Sequence, residues 1–418
     1  MSRLPGSRFA VFTAALIVLT LLALEVVARV AIAVLQPDPR FDFTPIADRE
    51  RERRQKLEEL LETQGRALVE LDAELGWRYR ADYRGRLYSS NSVGVRGRRE
   101  YAPTPPPGSL RIAAFGDSFV HGNEVGDDEA WSAVLETLDP RFEVLNYGVG
   151  GYGTDQALLL YERLGADLDA QVVLLGFVEV DYARNVNRFR RFLSVSELAL
   201  FKPRFVLDDS ATGALTLVPN PFPSETELRG LLEAPDAIVR AAPHDWFYQP
   251  LVWRNPLYDV SGLARLVSSG ISDAWRARLR PDGLYAGNRF NTSSEAYRVL
   301  LALVDRFAEL AEARGQHFVL LIFPSRDSDI WGDGPPVYQP LLDDLDGRHL
   351  VLDLAGTLRA DPTLAPDNLR KTSNHYGVAA NAAVGRAVRD FAIDQGWITT
   401  GLSRAADAQG PGLPTPDR

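Results

Sequence analysis

Five short and almost wholly apolar runs recur along most of the chain. They lie at 111–115, 142–148, 172–177, 317–324 and 349–354. Strands that are apolar on both faces belong inside a parallel sheet that helices cover. Between or after them, apolar residues recur at helical spacing, at 129–138, 154–165, 294–314 and 376–394. The alternation predicts an α/β protein, a three-layer α/β/α sandwich over 109–398 on a mostly parallel five-stranded sheet.

Three stretches fall outside this alternation. Residues 184–293 are rich in proline and aromatic residues, and we expect an insertion packed on the edge or rim of the sheet. Residues 37–108 hold a charged segment with leucines at helical spacing (47–75) and the stiff approach PTPPPG, which predict a juxtamembrane helix and a lead-in. The tail, 399–418, is predicted to be disordered.

The N-terminal segment 9–36 is long and apolar enough to cross a bilayer as a helix. Its only charges, Glu25 and Arg29, stand four residues apart and can pair near its end. A cleaved signal peptide and a buried core helix are the alternatives, and the length favours an uncleaved signal anchor. Arg3 and Arg8 precede it, so the positive-inside rule predicts a cytoplasmic N-terminus (1–8) and a domain on the periplasmic or extracellular side of the cell membrane.

The composition of the chain excludes several kinds of partner and of active-site chemistry. The net charge of −10 and the pI near 5.2 argue against a nucleic-acid partner. The chain has no cysteine, which excludes disulfides, thiolate metal sites and a cysteine nucleophile. Its five histidines show no spacing typical of metal ligands, so we do not expect a metal site built from histidines.

The residues that follow the strands suggest where the chemistry lies, because ligands of such sheets bind outside the carboxyl ends of the strands. Ser118 follows the first run, the glycine-rich loop 148–153 follows the second, and Asp181 and Asn185 follow the third. His375 opens the last helical segment. A serine in such a turn more often caps a helix. Together, however, these residues can supply a nucleophile, backbone donors for an oxyanion and a base that titrates near neutrality.

Three blocks, in this order, resemble the SGNH (GDSL) hydrolases and look like a membrane-anchored bacterial branch of them: FGDSFVHGNEVGDDEAWSAVLE, EVLNYGVGGYGTDQALLL and NHYGVAANAAVGRAV. The lead-in pieces LGWRY and NSVGVRGRREY are also similar, and the resemblance covers about 70–395. It implies a flavodoxin-like sheet and ester hydrolysis without a cofactor. It also implies Ser118 as nucleophile, Gly151 as oxyanion donor and His375 as general base.

Two positions depart from that pattern. Val180 stands where the family has an asparagine that donates to the oxyanion, and Asn185 or Asp181 is the nearby polar alternative. Thr372 stands where the family has the acid, three residues before the histidine. Asp367 is then the nearest acid in sequence and the predicted third member of the site, with Asp353 as another option.

The functional prediction is an extracytoplasmic, membrane-anchored serine esterase that cleaves acyl esters, acetyl esters among them, of glycans or lipids. Transfer of an acyl group to a polysaccharide is one alternative, because the same acyl-enzyme serves both reactions. The departures leave a second alternative: a catalytically degenerate glycan-binding accessory protein of the envelope polysaccharide machinery.

Overall fold

A computed structural model of the chain describes residues 6–38, 41–194, 197–208, 213–274, 283–372 and 375–398. The predicted disordered tail, 399–418, lies outside the described residues, as do residues 1–5 of the predicted cytoplasmic N-terminus. The strands are β1 (Val69–Asp72), β2 (Gly76–Tyr79), β3 (Leu110–Gly116), β4 (Phe142–Gly148), β5 (Val172–Phe177), β6 (Arg204–Leu207), β7 (Leu215–Val218), β8 (Tyr285–Ala286), β9 (Arg289–Phe290), β10 (His317–Ile322) and β11 (Leu350–Asp353).

The helices fall between these strands and at both ends of the described chain. They are α1 (Gly6–Leu35), α2 (Ile46–Thr63), α3 (Ser118–His121), α4 (Trp131–Leu138), α5 (Thr154–Leu164), α6 (Asp181–Arg184), α7 (Arg190–Leu193), α8 (Glu225–Glu233), α9 (Pro250–Trp253), α10 (Gly262–Ala274), α11 (Glu295–Ala313), α12 (Asp327–Trp331), α13 (Gln339–Leu345), α14 (Leu354–Ala360) and α15 (Val378–Asp394). Short 3₁₀ turns lie at Asp127–Glu129, Gly165–Asp167 and Pro235–Ala241.

The central sheet has the strand order β11-β10-β5-β3-β4, and every neighbouring pair is parallel. This is the flavodoxin-like order, and the predicted α/β/α fold with its five-stranded parallel sheet is confirmed. The order reverses between β3 and β5, where Ala113 pairs with Val173. Ligands of such sheets bind at that reversal, so the ends of β3 and β5 are the positions that matter for function.

Alternating side chains of the central strands enter two separate cores, which is why these strands are apolar throughout. In β3, Ala113 and Phe115 join one core, with α5 and α11, while Ile112 and Ala114 join the other, with α4, α14 and α15. The predicted insertion extends the first core with aromatic residues. Phe189 and Phe201, for example, stack with ring centroids 4.3 Å apart.

The lead-in differs from its prediction. The helical pattern over 47–75 predicted one helix, but α2 ends at Thr63 and the chain then forms the antiparallel hairpin β1-β2. Gly65 has a φ of 74°, a left-handed conformation that ends a helix, so the leucine stripe does not continue as one helical face. Leu57 and Leu61 of α2 are nonetheless buried against the domain.

The segment after the hairpin covers the open edge of the central sheet at β4. The Arg96 backbone N–H donates to the Asn146 carbonyl, and the Tyr101 hydroxyl donates to the Val144 carbonyl. Covering an edge strand satisfies its free hydrogen-bonding groups. The lead-in is therefore part of the domain, and it reaches the sheet beside the end of β3.

Candidate active site

A tight turn at the end of β3 positions Ser118. Gly116 has a φ of 154°, and a Cβ there would lie 2.5 Å from the Val120 side chain, so the turn needs glycine. Asp117 caps the following helix, its side chain accepting a 2.8 Å hydrogen bond from the Phe119 N–H. As a result Ser118 lies at the carboxyl end of the sheet, with 5% of its surface exposed.

His375 reaches Ser118 from the other end of the chain. Its Nε2 atom lies 2.9 Å from the Ser118 hydroxyl oxygen, within hydrogen-bond distance. Next to it, the Tyr376 hydroxyl donates to the Pro324 carbonyl at 2.7 Å, which fixes the chain just before α15. The imidazole also packs beside the Phe119 ring, with centroids 5.3 Å apart. The predicted nucleophile and the predicted base therefore meet.

The carboxylate beside His375 comes from Glu124, not from Asp367. Glu124 Oε1 lies 3.0 Å from His375 Nδ1, and the Thr372 hydroxyl donates to Glu124 Oε2 at 2.6 Å. Asp367 is exposed and makes no hydrogen bond to the imidazole. Thr372 thus holds a carboxylate that comes from the loop after Ser118. Asp353 is also engaged elsewhere, accepting from the Tyr338 hydroxyl at 3.0 Å.

The backbone of Glu124 is held in an uncommon conformation. Its φ of 72° is left-handed, which costs free energy for a residue other than glycine and tends to occur at functional sites. Its N–H donates to the Tyr88 hydroxyl at 2.7 Å. Burial raises the pKa of Glu124, but hydrogen bonds from Thr372 and His375 outweigh that effect and lower it below its ordinary value. The carboxylate is therefore ionised at neutral pH.

Arg96 of the lead-in fixes the rest of this loop. Its guanidinium donates to four carbonyls that flank Glu124, those of His121, Gly122, Val125 and Gly126. The His121 ring is buried beside it, with Nδ1 2.7 Å from the Asn123 side chain, and burial holds the pKa of His121 well below its usual range. His121 is therefore neutral and acts as part of the loop's packing. Sequence reasoning missed Glu124, Tyr88 and Arg96.

The predicted oxyanion donors lie in the glycine loop. Gly151 has a φ of 81°, and in the described part of the chain neither its N–H nor that of Ser118 donates a hydrogen bond. The neighbouring Gly150 N–H is already used by the Tyr79 hydroxyl, at 2.9 Å. Of the loop's amides, that of Gly151 is therefore free for a ligand, as is that of the serine itself.

Val180 and Asn185 occupy different surroundings. Val180 is 41% exposed at the end of β5 and has no polar side-chain group. Asn185 is fully buried, and its Oδ1 accepts from the Asp155 N–H at 3.3 Å at the start of α5. Its Nδ2 has no partner among the described residues. Asn185 thus lies against the glycine loop, where a Cβ on Gly153 would be 2.9 Å from its Oδ1.

Asp181 forms a buried charged cluster rather than a free ligand group. Arg184 Nη1 lies 2.9 Å from Asp181 Oδ1 and 2.9 Å from Asp117 Oδ2. Burial, and then the nearby charge of Asp117, raise the pKa of Asp181, while Arg184 lowers it. Asp117 Oδ2 is also 3.3 Å from the Ser118 hydroxyl. Because Arg184 already occupies that oxygen, the closer His375 nitrogen is the better acceptor for the serine proton.

The described residues contain no cluster of three or more histidine, aspartate or glutamate side chains arranged to hold a metal ion. The groups in contact are the Ser118 hydroxyl, the His375 imidazole and the Glu124 carboxylate. This constellation has the geometry of a Ser–His–acid site on a flavodoxin-like sheet.

No protein-family model matches the chain, and no curated protein matches it. Among solved structures, the chain is similar to a lipolytic protein of the G-D-S-L family from Desulfitobacterium hafniense DCB-2, at 14% identity and a TM-score of 0.32, over 67% of this chain and 98% of that one. It is also similar to a member of the lipolytic protein G-D-S-L family from Veillonella parvula DSM 2008, at 12% identity and a TM-score of 0.33, over 68% and 97%. These likenesses concern the fold alone, and the fold class rests on the strand order and register above.

Proposed function

We propose that the chain is a membrane-anchored serine acylhydrolase of the SGNH type, with Ser118 as nucleophile, His375 as general base and Glu124 as the acid that orients it. The observation that carries the proposal is the continuous chain of contacts Ser118–His375–Glu124, at 2.9 and 3.0 Å. A serine hydroxyl becomes nucleophilic when a positioned base accepts its proton, and the carboxylate stabilises the imidazolium that results.

In the proposed reaction, the Ser118 oxygen attacks the ester carbonyl while its proton moves to His375 Nε2. The N–H groups of Ser118 and Gly151 bind the oxyanion of the tetrahedral intermediate, each donor being worth roughly 10²–10³ in rate. His375 then protonates the leaving alcohol, and an acyl-serine remains. Water, deprotonated by the same imidazole, releases the acid and restores the hydroxyl.

The proposed substrate is an acylated glycan or lipid of the cell envelope. The helix Arg8–Leu35 is long and apolar enough to cross a membrane by length and composition. With Arg3 and Arg8 on the cytoplasmic side, the proposed domain lies outside, in contact with envelope polysaccharides and their machinery. A sugar hydroxyl that replaces water in the second step would make the same site an acyltransferase.

An activity-based probe tests the proposal without knowledge of the substrate. A fluorophosphonate should label the full-length protein in detergent, and Ser118→Ala should abolish labelling. His375→Ala should slow it by roughly 10²–10⁴, the usual contribution of a general base. Ser109→Ala, at a half-buried serine that donates to the Pro106 carbonyl, is the matched control and should label normally.

A folded wild-type protein that stays unlabelled would contradict the acylhydrolase proposal and favour the non-catalytic one. A specific feature supports that second candidate: exposed Val180 supplies no donor at the position where the family has asparagine. In that case the fold would serve to bind a glycan or an envelope partner.

A further inference from the structure

Helix α10 buries polar side chains and exposes apolar ones, which is the reverse of a helix on the surface of a soluble protein. Its serines Ser268, Ser269 and Ser272 are buried, and Ser269 bonds the Tyr258 hydroxyl at 2.9 Å. Its outer face carries Val267 and Ile271, which are 48% and 53% exposed. A surface helix in water normally buries its apolar stripe and exposes its polar one. The reversed arrangement is the one expected where the surroundings are apolar.

The turn before α10 continues this outer face. Leu257 and Val260 are 57% and 67% exposed. With Val267 and Ile271 they form what we call the α10 apolar face. Leu257 and Val267 line one groove, and exposed apolar surface gathered in this way marks an interaction site rather than ordinary protein surface.

The apolar helix α1 is joined to the start of α10. Glu25 accepts hydrogen bonds from the Ser261 hydroxyl and from the N–H groups of Gly262 and Leu263, at 2.7, 2.8 and 3.0 Å. Arg29 bonds Glu25 at 2.7 Å and the Val260 carbonyl at 3.0 Å. The two charges of the apolar segment therefore neutralise each other and cap α10. This contact fixes α10 at one level along α1.

That level lies near one membrane surface. Glu25 follows Arg8 by seventeen residues, about 25 Å along a helix, which approaches the ~30 Å thickness of the hydrocarbon core. On the N-terminal side of Glu25, Leu21 and Leu22 of α1 face α10. Together with Leu263 and Val267 of α10 they line an open, almost wholly apolar groove of about 580 Å³. Two of its α1 residues, Leu21 and Leu22, are themselves 52% and 58% exposed.

We infer that α10 is a second membrane-contacting element, which lies in the leaflet on the side of the catalytic domain and takes lipid acyl chains on its apolar face and in the groove. This inference rests on the membrane anchor of the proposed function and is independent of the esterase chemistry. The lipid is favoured over a second copy of the chain because the α10 apolar face is continuous with the surface of α1, which a bilayer covers. The domain would then be held by two elements, so its site cannot swing freely about one helix.

The absence of cysteine allows a direct test by single-cysteine labelling. Full-length Val267→Cys and Ile271→Cys would be labelled with an environment-sensitive fluorophore and reconstituted in phosphatidylcholine–phosphatidylglycerol vesicles. Quenching by nitroxide-labelled acyl chains would be compared with quenching by iodide in the water phase. Val11→Cys in α1 reports the anchor, and Val93→Cys, at a valine 60% exposed on the lead-in, is the matched control.

We expect the ratio of lipid to iodide quenching at positions 267 and 271 to exceed that at 93 by at least about fivefold, as for a helix buried in the interface. Iodide quenching at 267 and 271 equal to that at 93 would overturn the inference, as would protection from both quenchers, which indicates a protein partner. If lipid quenches Val11→Cys but neither α10 position, the anchor stands and the inference fails. If lipid quenches none of the three, the anchor itself fails.

Discussion

Replacing Glu124 with glutamine changes one charge at a defined distance from the base. The carboxylate oxygen lies 3.0 Å from His375 Nδ1. At that distance, the attraction between a carboxylate and an imidazolium is about 1.4 kcal/mol in water and about 5.5 kcal/mol at an effective dielectric constant of 20. These values correspond to about 10-fold and about 10⁴-fold in rate, at 1.36 kcal/mol per tenfold change.

The expected loss lies in the lower half of that range, because the Glu124 side chain is 24% exposed and water screens part of its charge. We expect Glu124→Gln to slow fluorophosphonate labelling of Ser118 by about 10²-fold. The glutamine amide can also donate to Nδ1, which favours the imidazole tautomer that cannot accept the serine proton. The measurement is the second-order labelling rate under excess probe.

Asp367→Asn is the matched control, since it removes a carboxylate nearby in sequence that does not contact His375. It should label at the wild-type rate, and circular dichroism should show both variants folded. A labelling rate for Glu124→Gln within threefold of wild type would refute the assignment of Glu124. So would a large loss in Asp367→Asn, which would restore the assignment made from the sequence.

Four further substitutions test other parts of the site. Val180→Asn introduces the missing side-chain donor and should raise the labelling rate, by up to about 10²-fold, whereas Thr372→Asp places a second carboxylate against Glu124 and should lower the rate. Arg184→Gln leaves two buried carboxylates without their counter-charge, and urea unfolding should show a loss of about 3–5 kcal/mol. Tyr88→Phe removes the acceptor of the Glu124 N–H, worth about 1 kcal/mol, and labelling should slow several-fold with little change in melting temperature.

Each of these predictions has a contrary outcome. A rate in Val180→Asn no higher than wild type would mean that the end of β5 does not face the reacting carbonyl. Faster labelling in Thr372→Asp would show that an acid at 372 can replace Glu124. An Arg184→Gln protein as stable as wild type would mean that the buried carboxylates are protonated. A Tyr88→Phe protein that labels normally would show that its hydroxyl does not position Glu124.

The central fold could be predicted because its signal is local. Each buried parallel strand is apolar on both faces, so each run of the sequence matches its strand to within about two residues, as 142–148 does β4 (Phe142–Gly148). Ser118 directly follows β3, and His375 lies just before α15, so the pattern placed both near the same edge of the sheet. Their roles as nucleophile and base came from the resemblance to the SGNH hydrolases.

The α2 region shows where periodicity misleads. Leu68, Leu71 and Leu75 continue the helical spacing of Leu57 and Leu61, but after Gly65 the chain turns into the hairpin β1-β2. There the pairing of Leu71 with Trp77 determines the local structure. Over a few residues, the apolar spacing of a helix cannot be told from that of a strand. Only the cross-strand contacts of the hairpin decide between the two structures.

Glu124 could not be predicted by proximity in sequence to His375, because 251 residues separate the two. The usable signal was indirect: Thr372 cannot serve as an acid, and a carboxylate stands six residues after the nucleophile on a loop that begins with Gly122. To select Glu124 from the sequence, one would have to know that its loop folds back against the His375 imidazole. That return depends on Arg96 and Tyr88, which lie still farther away in the chain.

Because the carboxylate beside His375 comes from Glu124, the proposed site depends on parts of the chain far from His375 in sequence. An acid three residues before His375 would make the base and its partner depend on one C-terminal loop. Here the loop that holds Glu124 has a left-handed φ at that residue, and Arg96 and Tyr88 of the lead-in supply the contacts that offset its cost. The lead-in also connects to the helix that precedes the domain. In the proposed function, the lead-in that follows the anchoring helix therefore also orients the base, and it is part of the site rather than a spacer.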